Sequence, residues 1–238
     1  MFENKPRIRT LGLVGGVSWE STNIYYQLLN EGVQKRLGGN NAAELMIHSF
    51  NFQRIVSMQE RGDWAMIGSE VYNAARHLQN AGAEALILCS NSIHKVAPQV
   101  ESRLSIPLLN IVDIAGAHAS RNGWKRVGLL GTRFTMGGGF YQQRLADVHG
   151  IEVLLPEPHE QEILHRVIIH ELCRGQVRDA SEAELLHLID HLVDRGVGAI
   201  LLGCTELAML MREQGHHIPM IDATGLHVDY AIDWMLRP

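Results

Sequence analysis

Two stretches of the chain, HLQNAGAEALILCS (77–90) and HLVDRGVGAILLGC (191–204), follow one plan: a helix end, a glycine, then an apolar strand that stops at a small polar residue. Two further pairs fall in the same order. LGLVGG (11–16) matches VGLLGT (127–132), setting Gly12 against Gly128 and Tyr25 against Tyr141, and IPLLN (106–110) matches IPMID (218–222). Three ordered matches at a slowly drifting offset point to duplication of one α/β unit. Each copy alternates short strands with amphipathic helices. RTLGLVG, AELMIHSF, AEALILCS and IPLLNIVD read as strands. SWESTNIYYQLLNEGVQKRL, capped by Ser18 or Ser21, AMIGSEVYNAARHLQNAG, closed by Gly82, and the short KVAPQVESRL read as helices. This grammar predicts an α/β fold of two similar three-layer lobes with mainly parallel sheets, related by a pseudo-two-fold axis, with the active site between the lobes. The expected boundaries are 1–112 plus 225–238 for the first lobe and 113–224 for the second.

Composition narrows the function. A chain of 238 residues can bury a substantial core. A net charge of -5 with no basic run argues against a nucleic-acid partner. Three cysteines (Cys89, Cys173, Cys204) make no disulfide framework and suit a reducing compartment. The apolar run after the N-terminal basic residues is short and Gly-rich, and reads as a first strand rather than a signal peptide. No stretch approaches the ~20 apolar residues of a membrane span. The expected location is the cytoplasm, with a second copy of the chain as partner in a homodimer.

Parallel strands gather ligand sites at their carboxyl ends, where Ser90 and Cys204 stand opposite each other in the repeat. Two opposed proton-transfer groups flanking a carbon are what a racemase or epimerase needs. A cysteine serves when a helix N-terminus stabilises its thiolate, and Cys204 precedes the helical ELAMLM. The competing reading is a buried, inert thiol at a strand end.

SNSIH (90–94) and GCTEL (203–207), with the opening GLVGGVSWEST and the middle GTRFTM, resemble the aspartate/glutamate racemase family, and most closely its broad-specificity amino-acid racemase branch. The resemblance covers nearly the whole chain. It implies racemisation at the α-carbon without pyridoxal phosphate or another cofactor, by paired residues acting directly. The family pattern Cys-Asn-Thr-x-His reads here Ser90-Asn91-Ser92-Ile93-His94, so a serine replaces the first catalytic cysteine. Some members of the branch carry threonine there. Cys89, one residue early, points to the other face of the strand and does not substitute. A serine hydroxyl is a far weaker acid than a thiol, which puts reversibility in question. In related glutamate racemases the cysteine of GCTE removes the α-proton of the L-isomer, so proton abstraction is expected to be L-selective, with acidic amino acids as leading substrates.

By the same resemblance Asn91, Ser92 and Thr205 hold the α-carboxylate, although capping is their ordinary role. Val17 and Ser18 wall the pocket, and Thr132 and Thr135 occupy the equivalent turn of the second lobe. Arg166, with Gln59, Arg54 and Arg61, is the candidate set for a distal carboxylate, against a reading of the arginines as solvated surface. Thirteen histidines raise the question of a metal; His187 and His191 at i, i+4 lack a metalloprotease glutamate, and no metal is expected. His94 belongs to the family motif, or is a helix-start histidine bonded to backbone. His216-His217 reads as a polar loop. Three alternatives stay open: a decarboxylase resembling the arylmalonate enzymes, which use one cysteine, a hydantoin-racemase-like enzyme, and a non-catalytic amino-acid-binding protein.

Overall fold

β1 (Leu11–Gly15) is buried along its whole length, which an apolar strand requires when helices cover both faces of its sheet. It pairs in parallel with β2 (Leu45–Ser49) and with β3 (Ala85–Leu88). The structure, a computed structural model, describes residues 7–174, 176, 178–207 and 217–237. The chain divides into two compact units, 1–110 with 227–238, and 111–226.

In the first unit α1 (Trp19–Leu37) starts at Ser18, whose hydroxyl accepts the Ser21 amide, and ends at Gly38. Two helices, α2 (Phe52–Glu60) and α3 (Trp64–Ala81), separate β2 from β3. α3 buries Ile67, Val71, Ala74, Ala75 and Leu78, one stripe at helical spacing, and stops at Gly82 in the left-handed conformation. After β3 comes a 3-10 turn (Ser92–Val96) and then α4 (Ala97–Glu101). The expected KVAPQVESRL helix is therefore divided, with Pro98, which lacks an amide proton, in the first turn of α4.

The expected strand IPLLNIVD is corrected to a single bridge between Leu86 and Leu108, followed by α5 (Ile111–Arg121). The buried residues Ile111, Val112, Ala115, Gly116 and Ala119 repeat at helical spacing, so the apolar IV pair belongs to a helix face. The bridge still closes a ladder: the Leu86 amide donates to Pro107 O and the Leu109 amide to Leu86 O, both at 2.9 Å.

The second unit repeats this order. β4 (Arg126–Leu130) is followed by α6 (Arg133–Met136), α7 (Phe140–His149), β5 (Glu152–Leu154), α8 (Pro158–His170), α9 (Asp179–Asp194), β6 (Ala199–Leu202) and β7 (Met220–Asp222). Its parallel sheet runs β5-β4-β6-β7. The first sheet runs β2-β1-β3 with the Leu108 bridge beyond β3, so the strand orders correspond place for place. The matched glycines have one job. A Cβ at Gly12 would lie 2.6 Å from Leu86, and one at Gly128 would lie 2.8 Å from Ile200. Each central strand thus lacks a side chain where the neighbouring strand's large residue crosses it.

The final helix, α10 (Ala223–Leu236), carries His227, which is fully buried. Its Nε2 donates to Leu109 O at 2.7 Å, and its Nδ1 accepts the Tyr25 hydroxyl at 2.9 Å, with the His94 ring 5.9 Å away. Burial lowers its pKa from 6.5 to about 4. Between these values the unfolded chain binds a proton that the fold refuses, so stability is complete above pH 6.5 and declines as pH falls toward 4, by up to about 3 kcal/mol. His227→Gln is expected to lower stability at pH 7 by about 2 kcal/mol but to flatten this acid slope. Urea unfolding at pH 7, 5.5 and 4.5 checks it. A variant that keeps the full slope places the titration elsewhere.

Among the described residues, no helix is long and apolar enough to cross a membrane.

Candidate active site

In both units the backbone delivers a polar residue one step past a ladder hydrogen bond. The Cys89 amide donates to Val14 O at 2.9 Å, and Ser90 follows; the Gly203 amide donates to Leu130 O at 2.7 Å, and Cys204 follows. Ser90 and Cys204 thus hold the same place at the carboxyl ends of β3 and β6, where parallel sheets hold their ligands. Cys89, at the intervening position, is fully buried and its thiol is pushed far above its ordinary range by burial alone.

The turn after each first strand repeats as well. Ser18 accepts the Ser21 amide at 3.3 Å, with their hydroxyls 3.5 Å apart. Thr132 accepts the Thr135 amide at 3.3 Å, also with their hydroxyls 3.3 Å apart. Ser18 and Thr132 are therefore N-caps of α1 and α6. Val17, beside the first of these caps, is buried.

Around Ser90 the polar groups form a chain. The Gln59 amide donates to Ser92 Oγ at 3.1 Å, and Ser92 Oγ lies 3.3 Å from Ser90 Oγ. His94 Nδ1 donates to the Ser90 carbonyl at 2.9 Å, the backbone role weighed for it from sequence. Gln59, Asn91, Ser92 and His94 are all buried, while Ser90 is half-buried.

Cys204 is also buried, and its thiol donates to Glu206 Oε2 at 2.8 Å. Cys173 donates to the other oxygen, Glu206 Oε1, at 3.4 Å. Residues 205–207 are helical, and the rest of the helix expected over ELAMLM lies outside the described residues. A thiolate stabilised by that helix start was expected. The structure corrects this: burial first, then the Glu206 carboxylate, raise the Cys204 pKa well above its ordinary value. The Glu206 backbone amide acts in the opposite sense but is outweighed. The resting state is a protonated thiol held against a carboxylate.

The arginines fare differently. Arg166 is mostly exposed and lies 3.9 Å from Glu184, while Arg54 pairs with Glu70 and Arg61 with Asp63. The His187 and His191 ring centroids lie 4.1 Å apart with the planes tilted by 57°, and His191 bonds Glu160. Among the described residues no three His, Cys, Asp or Glu side chains converge to hold a metal. His216 lies outside the described residues, and His217 stands 3.5 Å from Asp190. Thr205 is buried beside Cys204. Glu206 lies inside GCTEL, where the motif gives it no role, and no motif marks Cys173.

The Asp/Glu/Hydantoin racemase family matches residues 14–231. A crystal structure from Yersinia pestis assigned to the Asp/Glu racemases superposes with a TM-score of 0.89 at 40% identity, covering 97% of this chain and 100% of that one. An aspartate racemase homologue from Pyrococcus horikoshii gives 0.83 at 29% identity over 97% of this chain and 100% of its own. The broad specificity amino-acid racemase RacX of Bacillus subtilis is 25% identical over 224 residues, 90% of this chain and 93% of that protein. A parallel α/β fold with this repeated strand order is thus shared with racemases along nearly its full length. The chain belongs to the Asp/Glu/hydantoin racemase family, and with it to the isomerases.

Proposed function

We propose that the protein is a cofactor-independent amino-acid racemase that favours acidic amino acids and abstracts the α-proton of the L-isomer. Cys204 is the base for the L-isomer and Ser90 delivers the proton that forms the D-isomer. The observation carrying this reading is the Cys204–Glu206 pair, a thiol whose proton has a built-in acceptor. Asn91 and Thr205 are proposed to hold the α-carboxylate through side-chain amide and hydroxyl, and Ser92 through its backbone amide at a helix start, with Val17, Ser18, Thr132 and Thr135 lining the turns. The acidic substrate class is supported by the aspartate racemase homologue among the similar structures, and Arg166 is retained as the cation for a distal carboxylate. The lobe boundaries expected from sequence are likewise proposed as the duplicated units. A homodimer in the cytoplasm is proposed for the working form, to be checked by light scattering and fractionation.

The chemistry is asymmetric because a hydroxyl is a poor base. In deuterium oxide, α-hydrogen exchange of L-aspartate or L-glutamate is expected to outpace D-isomer formation by about tenfold or more, and D-substrates should exchange slowly. Mass spectrometry after chiral separation reads all the rates. Equal exchange of both isomers would sink the asymmetry, and no exchange of any amino acid would sink the racemase reading.

A further inference from the structure

We infer that Gln59 is a positioning residue that fixes the direction of the hydroxyl chain ending at Ser90, and so makes Ser90 a proton donor rather than a base. The inference rests on the proposed racemase reading of Ser90.

A hydroxyl carries one proton. Ser92 Oγ accepts the Gln59 amide and is buried, so its own proton must find an acceptor; among the described residues that acceptor is Ser90 Oγ. If Ser90 donated to Ser92 instead, the Ser92 oxygen would accept twice and its buried proton would be stranded. Ser90 is half-buried and can spend its proton on a ligand or on water. The chain therefore runs from the Gln59 amide to Ser92, from Ser92 to Ser90, and from Ser90 outward. His94 holds the Ser90 carbonyl at 2.9 Å, which keeps the backbone of the donor in place.

The direction has a chemical consequence. A hydrogen bond donated to Ser90 Oγ stabilises the oxyanion left when its proton departs. When Ser90 acts, its O–H bond breaks, a C–H bond forms at the α-carbon, and the negative charge moves from carbon to the serine oxygen. The Ser92 hydrogen bond holds that oxyanion until a solvent proton restores it. The proton that Cys204 took from the substrate returns to solvent, so the cycle conserves protons and needs no redox partner.

Gln59→Glu tests the direction with little change of shape. A carboxylate only accepts, so Ser92 would give it the proton, Ser90 would donate to Ser92, and the outward proton would be lost. Gln59→Met removes the amide without reversing the chain, and serves if the charged variant folds poorly. The readout is the ratio of D-isomer formation to α-hydrogen exchange, starting from L-aspartate or L-glutamate in deuterium oxide. That ratio is expected to fall about tenfold in Gln59→Glu and about threefold in Gln59→Met, whatever either substitution does to L-exchange itself. A purely structural role would lower both rates together and leave the ratio in place. An unchanged ratio in both variants would overturn the inference alone. Absence of exchange in the unmodified protein would overturn the racemase reading, and this inference with it.

Discussion

Cys204→Ala is expected to reduce α-hydrogen exchange of L-substrates by at least about 10³-fold while leaving the circular dichroism spectrum intact. The loss follows from the chemistry proposed for Cys204: among the described residues at the end of β6 it is the thiol, and Thr205 supplies only a hydroxyl. The fold should survive, because the substitution removes one sulfur and one of two thiol donors to buried Glu206, a cost of about 1–3 kcal/mol. Cys204→Ser, which keeps a donor to Glu206, is expected to be as inactive as the alanine variant, since its hydroxyl cannot serve as the base. Cys89→Ala is the control. Cys89 is fully enclosed and its thiol is held protonated by burial, so exchange should stay within about twofold. Exchange in Cys204→Ala within tenfold of the unmodified protein would reject a thiol mechanism.

The repeat made most of the fold legible. Gly12 and Gly128, and Gly82 and Gly196, are local features with one physical reason each, so the same letter recurs in both halves, and the strand ends fall in register at Ser90 and Cys204. What failed was IPLLNIVD. Its residues satisfy a strand pattern, yet Ile111 and Val112 open a helix whose buried stripe becomes visible only when the window is carried on to Ala119. At the site, sequence named residues that share strand ends and caps, because those positions are set by backbone order. It did not foresee that Gln59 would reach Ser92 across thirty-three positions, or that Glu206 would gather two thiols. Those contacts depend on how helices settle on a sheet. The expected thiolate failed for a related reason: a helix start is readable in sequence, whereas the depth of burial that outweighs it is not.

Glu206→Gln separates the two things the carboxylate does to Cys204. Its charge raises the thiol pKa, and its oxygen, 2.8 Å away, offers the proton a place to go. In the mechanism proposed for the unmodified pair, the thiol first gives its proton to Glu206 within one hydrogen bond. The L-exchange rate is therefore expected to be nearly flat across neutral pH. Glutamine keeps the shape and a hydrogen bond but takes no proton, so the thiol must release it to water. The rate at pH 7 should fall about 10²-fold, the ordinary worth of a positioned proton acceptor, and then climb about tenfold per pH unit until the thiol titrates. Because the neighbouring charge is gone, that titration should come at lower pH than in the unmodified protein. Iodoacetamide labelling of Cys204, located by mass spectrometry across the same pH range, measures it without any substrate. The two readouts move in opposite senses at pH 8: labelling rises while exchange remains below the unmodified rate. A variant with a flat pH profile and full activity at pH 7 would show that Glu206 is only a packing partner of the thiol.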